Sequence, residues 1–317
     1  MNWLEAIQSA FDLALLSSTL RVSIPLILAA MGGLLSERSG VLNIGLEGMM
    51  LVGALLAALG AHYSGSPWVG LLTAALAGGA MGLIHAYICV TWQGDQGISG
   101  LALFLFSVGF TGFLLQILFR HGGETPRVQT LPVVRLDFLK SVRVLDKVFN
   151  RQPALVFVGL LLPFLLHFLL YRTHWGSWIR AAGENPRALE VVGISPAVVR
   201  YVCVVAGGML AGVGGAYLSI SQMSLFIEGM TAGRGFIALS AIIFGNWKPL
   251  GAFLAALFFG LMDALQLSLQ ITVPDRQIPR ELFMALPYLL TVAALAGFVG
   301  RAVAPASLGR PYKKESR

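Results

Sequence analysis

Runs of apolar residues long enough to cross a lipid bilayer recur along this chain, and no other feature restricts its fold so strongly. A helix advances about 1.5 Å per residue, so about 20 apolar residues traverse the hydrocarbon core. Nine segments approach that length: 17–36, 46–62, 68–91, 98–119, 153–171, 201–221, 234–247, 249–270 and 281–300, of which 234–247 is short. Backbone groups in lipid must be satisfied within the segment, so these segments read as helices. Of the 317 residues 56% are hydrophobic and 12% charged, about half the charge of a soluble domain. The expectation is an all-α integral membrane protein of about nine transmembrane helices, one domain over residues 1–317.

Small residues fit close helix packing, as at Gly78–Gly79, Gly207–Gly208 and Gly214–Gly215. Pro25, Pro163 and Pro287 fall inside spans, where neighbours can satisfy the freed carbonyls. Cys89 and Cys203 lie in apolar stretches and read as packed small hydrophobes rather than a disulfide. The five histidines are scattered without ligand spacing, so no metal site follows. Met1–Phe11 lacks a basic start and reads as an interfacial segment, not a cleaved signal. The net charge of +7 sits in loops and at the C-terminus, where anionic headgroups of membrane lipids suffice as partner and nucleic acid is not implied.

Two long polar connections interrupt the spans, Arg120–Gln152 on one side and Arg172–Arg200 on the other. The second contains Gly183–Ile194, reading GENPRALEVVGI. Asn185 suits a helix N-cap, Pro186 the first turn and Gly193 the stop. A helix of about two turns is too short to stand alone in water or to span a bilayer. It either lies on lipid or presents itself to a soluble partner. The lysines and arginines divide 11 to 11 between the two faces, so charge alone leaves the orientation open.

An internal repeat restricts the architecture further. A shift of 181 residues aligns Leu46–Met81 with Ile227–Met262 without a gap, with ten identities that include the paired Glu47-Gly48-Met49 and Glu228-Gly229-Met230. The repeat halves are drawn at about 46–119 and 227–300. The second copy begins five spans after the first, so the copies cross in opposite directions. Inverted repeats are a transporter architecture.

Three segments carry a family resemblance: Gly32–Gly53 (GGLLSERSGVLNIGLEGMMLVG), Gly183–Ile194, and Gly233–Gly251 (GRGFIALSAIIFGNWKPLG). Together they resemble the permease subunits of simple-sugar and nucleoside ABC importers, in the branched-chain amino-acid/ribose permease superfamily, and within it the shorter of the two nucleoside permeases. The resemblance implies a bacterial cytoplasmic (inner) membrane protein of multi-pass topology, N-terminus outside and C-terminus inside. It implies three partners: a second permease subunit, a cytoplasmic ABC ATPase and an extracytoplasmic substrate-binding protein. ATP and Mg would be held by the ATPase, and this chain would bind no cofactor. Gly183, Glu184, Asn185, Pro186, Ala188, Leu189, Val192, Gly193 and Ile194 would then form the coupling helix, with Val191 adding apolar surface, and Arg172–Arg200 would be cytoplasmic.

Several polar residues are candidates for the pathway. Asn43 and Glu47, four apart, share a helical face; Glu47 either lines the pathway or is an N-terminal acid favoured by the helix dipole. Asp263, Gln266 and Gln270 form a polar stripe that suits the hydroxyls and base edges of a nucleoside, or bonds to neighbouring helices. Arg234 pairs with a carboxylate at the outer mouth or anchors to headgroups, and Gln222 and Gln116 are weaker candidates. No Walker A loop and no nucleophile–histidine arrangement occurs, so the chain is not read as an enzyme. The alternatives are a ribose-type sugar permease and, from another class, an ion-coupled secondary transporter, which calls for acidic residues at the midplane and no docking helix.

Overall fold

Local chemistry sets each helix boundary. The structure, a computed structural model, describes residues 13–120, 122–272 and 302–313. Helix α1, Leu13–Arg38, carries Pro25 within it. Helix α2, Leu46–Ser64, stops at Gly65, whose φ of +68° is the left-handed conformation that closes a helix. Proline opens α3 (Pro67–Ala86), α9 (Pro196–Tyr217) and α11 (Pro249–Thr272), where its missing N–H costs nothing. Asp95 caps α4 (Gln96–Phe119) by accepting the Ile98 amide at 2.8 Å. The remaining long helix is α6, Ala154–Arg172.

Helix α1 is the axis of the fold. From Ile24 to Leu35 its residues are buried, and α9 and α11 pack along it while α2 and α3 lie against α9. Helix α9 approaches its neighbours through glycines. A Cβ on Gly207 would overlap the Gly32 carbonyl oxygen, and one on Gly208 the Gly78 carbonyl oxygen. Backbones in van der Waals contact supply the association that a hydrophobic effect cannot supply between helices in lipid. Helix α4 inverts the pattern of a soluble helix: Ser99, Ser107 and Thr111 face inward while Leu105, Phe106, Phe113 and Ile117 are exposed. The inward hydroxyls of Ser107 and Thr111 are satisfied by carbonyls one turn earlier, at 2.7 and 2.8 Å.

Among the described residues, seven helices are long and apolar enough to cross a membrane, and they fall at seven of the nine expected spans. The segment 234–247 contains α10, Arg234–Phe244, whose 11 residues cover about 16 Å and fall short of the hydrocarbon core. The span at 281–300, Pro287 and the N-terminal segment Met1–Phe11 lie outside the described residues. The aligned segments each make a helical pair with a glycine-tight bend: Gly60 against Gly70 between α2 and α3, and Gly245 against Gly251 between α10 and α11.

Neither polar connection is plain loop. Residues 120–152 hold a two-stranded ribbon, β1 (Val133–Val134) against β2 (Gln152–Pro153), and a short helix α5, Arg143–Phe149. Val128 and Leu131 donate to the carbonyls of Ser224 and Ile220, at 2.7 and 2.9 Å, fastening this connection to the residues just past α9. Residues 172–200 form two helices, α7 (His174–Glu184) and the predicted short one, α8 (Pro186–Val191).

Candidate functional site

Two carboxylates of the first motif grip the third motif at either end of α10. Glu47, buried in the first turn of α2, accepts the Gly233 amide at 2.8 Å through Oε1 and the Gly235 amide at 2.6 Å through Oε2. These are unpaired donors at the start of α10, the positive end of its dipole. Past the other end of α10, the buried Trp247 donates its indole N–H to Glu37 Oε2 at 2.5 Å. The short helix is therefore held between residues ten apart in the chain, on α1 and α2.

This arrangement changes the reading of the first candidates. Glu47 is used as a cap across 186 residues, and the helix dipole it serves includes that of α10. Asn43 does not share a helical face with Glu47, because α2 begins only at Leu46 and Asn43 lies in the buried turn before it. Its amide reaches Ser36 Oγ at 3.5 Å, and its Oδ1 has no partner among the described residues.

The stripe on α11 is half-buried at Asp263, Gln266 and Gln270, while Leu254 and Leu267 of the same helix are exposed. Arg234 donates to the carbonyls of Met230 and Thr231, both at 3.2 Å. Gln270 Nε2 is buried without a hydrogen-bond partner among the described residues. Gln222 and Gln116 are exposed and apart from this group.

At the other element, Asn185 caps α8 through the Ala188 amide, at 3.4 Å, and Gly193 ends the turn with φ of +79°. Ala188, Val191 and Val192 are exposed, Val191 at 88%. Leu189 departs from the expected contact set. It points inward and is buried, anchoring α8 rather than offering itself to a partner. Gly183 is also structural: a Cβ there would overlap the Arg38 carbonyl oxygen. Glu184 faces Arg38 at 3.7 Å.

Glu37 and Trp247 belong to these contacts but were not singled out by sequence reasoning, nor was Arg200, whose Nη2 donates to the Ala182 carbonyl near the end of α7 at 3.3 Å. Glu37 and Trp247 stand inside the quoted motifs, and a charge and an indole in apolar surroundings were the available signals. Arg200 sits in the second turn of α9 and reads as an ordinary span-end cation. Among the described residues no group of His, Cys, Asp and Glu has the arrangement of a metal site.

Among the described residues, seven apolar helices of span length and a half-length helix clamped at both ends define a multi-pass membrane protein. The chain belongs to the branched-chain amino acid transport system / permease component family, whose model matches residues 15–295. It is 36% identical over 307 residues to the guanosine ABC transporter permease protein NupQ of Bacillus subtilis, covering 95% of this chain and 96% of that one. It is 34% identical to the nucleoside ABC transporter permease protein NupC of Lactococcus lactis, with the same coverage. TsgC13 of Haloferax volcanii, described as a candidate glucose ABC transporter permease, is 34% identical over 96% of this chain and 99% of its own. The chain is thus an ABC permease of the cytoplasmic membrane, the membrane subunit of a system whose ATPase is a separate subunit.

Proposed function

We propose that this chain carries nucleosides inward as one permease of an ABC importer, powered by ATP hydrolysis on a cytoplasmic partner. The observation that carries the substrate class is the near full-length similarity to two permeases named for guanosine and nucleoside transport. A simple-sugar substrate is the second reading, favoured by the similarity to TsgC13.

In this reading α8 seats on the ATPase through Ala188, Val191 and Val192, with Asn185 and Pro186 setting its start. Closure of the ATPase dimer moves the seated helix, and the movement passes to the spans. Residues 172–200 and the C-terminal segment then face the cytoplasm, and the N-terminus faces outside. ATP and Mg belong to the ATPase, a second permease completes the pathway, and an extracytoplasmic binding protein delivers the substrate. The halves at about 46–119 and 227–300 act as inverted repeats of one membrane domain, a reading supported by the close approach that the matched Gly70 and Gly251 each make to the preceding helix or its end. The half-buried stripe of Asp263, Gln266 and Gln270 offers amides and a carboxylate to ribose hydroxyls and base edges.

The test is uptake of labelled uridine against ribose into vesicles holding the complete transporter. Uridine uptake that requires ATP and the ATPase subunit is expected. Uptake without either sinks the ABC mechanism in favour of ion coupling, and transport of ribose alone sinks the nucleoside assignment.

A further inference from the structure

One guanidinium joins four chain segments around the docking element. Arg200 is buried near the start of α9. Its Nε donates to Ser39 O at 3.1 Å, Nη2 to Ala182 O at 3.3 Å and Ser307 Oγ at 3.2 Å, and Nη1 to Arg310 O at 3.4 Å. Among the described residues no carboxylate lies within ion-pair distance of it. Its donors go instead to the turn after α1, the end of α7 and the C-terminal segment.

That segment continues along the same element. Ser307 donates to Gly183 O from its amide at 2.8 Å and from its hydroxyl at 2.6 Å. The Ala306 amide donates to Glu184 Oε2 at 3.2 Å, and the Tyr312 hydroxyl to Glu190 Oε2 at 2.8 Å. Val303 is tied to Asn246 Oδ1 at 2.8 Å, beyond the end of α10. The bonds therefore flank α8, at the residues just before it and at Glu190 within it.

We propose that Val303–Tyr312 is a strap that locks α7 and α8 onto α1 and α9, with Arg200 as the positioning residue at its centre. The inference rests on the reading of α8 as the docking helix. A six-residue helix does not hold its own place, and its single cap bond is long. Such an element transmits a push only if it is rigid relative to the spans it must move. The strap supplies that rigidity from outside the helix. A guanidinium fits the centre because its planar fork directs several N–H groups to separate carbonyls, which a lysine ammonium on a flexible stem does not.

The experiment uses the complete reconstituted transporter and reads nucleoside carried per ATP hydrolysed. One chain combines Ser307→Ala with Tyr312→Phe, and another carries Arg200→Lys. Both are expected to assemble with ordinary stoichiometry and to hydrolyse ATP. Transport per ATP should fall about two- to thirtyfold, the range for residues that carry coupling between sites. Unchanged transport per ATP in the double variant overturns the strap, and that variant decides alone if Arg200→Lys fails to assemble. Ala188→Pro serves as the reference, because it deletes the amide that Asn185 caps and disfavours the helical conformation of Arg187 before it. If Ala188→Pro leaves coupling intact, the docking reading falls and the strap with it. If Ala188→Pro uncouples and the strap variants do not, the strap alone falls.

Discussion

Gly235 donates its amide to Glu47 Oε2 at 2.6 Å, and it sits so close to the Glu47 backbone that a Cβ would overlap the Glu47 nitrogen and Cα. One contact thus demands a carboxylate on α2 and the absence of a side chain on α10. Gly235→Ala must push the two helices apart, at about 1–3 kcal/mol for overpacking a tight site. Glu47→Ala leaves the buried Gly235 amide and the half-buried Gly233 amide at the α10 terminus without an acceptor, at about 1–3 kcal/mol for the buried one. Both variants should unfold earlier in detergent than the parent. Glu47→Gln should lie between them and the parent, since its one remaining oxygen caps without the charge. A Glu47→Ala protein as stable as the parent would remove the clamp from the account.

The Glu37–Trp247 bond makes a different demand, because both partners are buried. Trp247→Phe keeps an aromatic ring and deletes the donor, leaving a buried carboxylate oxygen unmatched. A loss of about 1–3 kcal/mol is expected. Adding Glu37→Leu to Trp247→Phe should recover part of that loss, since removing both members of a buried polar pair is cheaper than removing one. A double-mutant cycle on thermal unfolding measures the recovery. Strict additivity would mean that the two side chains do not interact.

Much of this was legible in the chain, and the failures have physical causes. Apolar runs of span length gave the helices, because the bilayer imposes one length on every crossing. The same rule miscounted 234–247, where a half-length helix is tolerated because Glu47 of α2 satisfies its first amides and Glu37 of α1 holds Trp247 past its end. Asn185, Pro186 and Gly193 announced α8 through local chemistry alone, and the structure places each as expected. Helix α7 went unread because its 11 residues hold no long apolar run, and only the spacing of Gly176, Ile179, Ala182 and Gly183 marks its inner face. Leu189 was assigned outward because a two-turn helix has too few residues for its period to show which side is inner. The roles of Glu37 and Arg200 depend on partners between 107 and 210 residues away, or on backbone carbonyls, and no local pattern reports those.

The glycines of α9 predict how little the bundle tolerates at its crossings. A Cβ on Gly208 would meet the Gly78 carbonyl oxygen, and backbone cannot turn aside as a side chain does. Gly208→Val should cost more than Gly208→Ala, which itself falls in the range of about 1–3 kcal/mol. The protein supplies its own reporter in Cys89 and Cys203, both free and buried. Thiol labelling of these two on heating should begin at lower temperature in the alanine variant and lower still in the valine variant. Equal labelling curves in all three would show that α9 is not packed backbone to backbone.

The stripe on α11 allows a choice between its two roles, structural and transport, at a single residue. An amide that bonds a neighbouring helix contributes about 0.6–2 kcal/mol, which its removal forfeits. Gln270 Nε2 is buried and has no such partner among the described residues. Replacing it by methionine, similar in length and apolar, should therefore leave unfolding in detergent unchanged or slightly raised. If the amide instead meets the substrate during passage, the same variant should lower the rate of nucleoside transport at saturating binding protein. A decrease of about tenfold corresponds to one lost hydrogen bond of about 1.4 kcal/mol in the rate-limiting passage. The binding protein's own affinity for nucleoside provides the control and should not move. Lost stability with an unchanged rate would assign Gln270 to packing and take it out of the pathway.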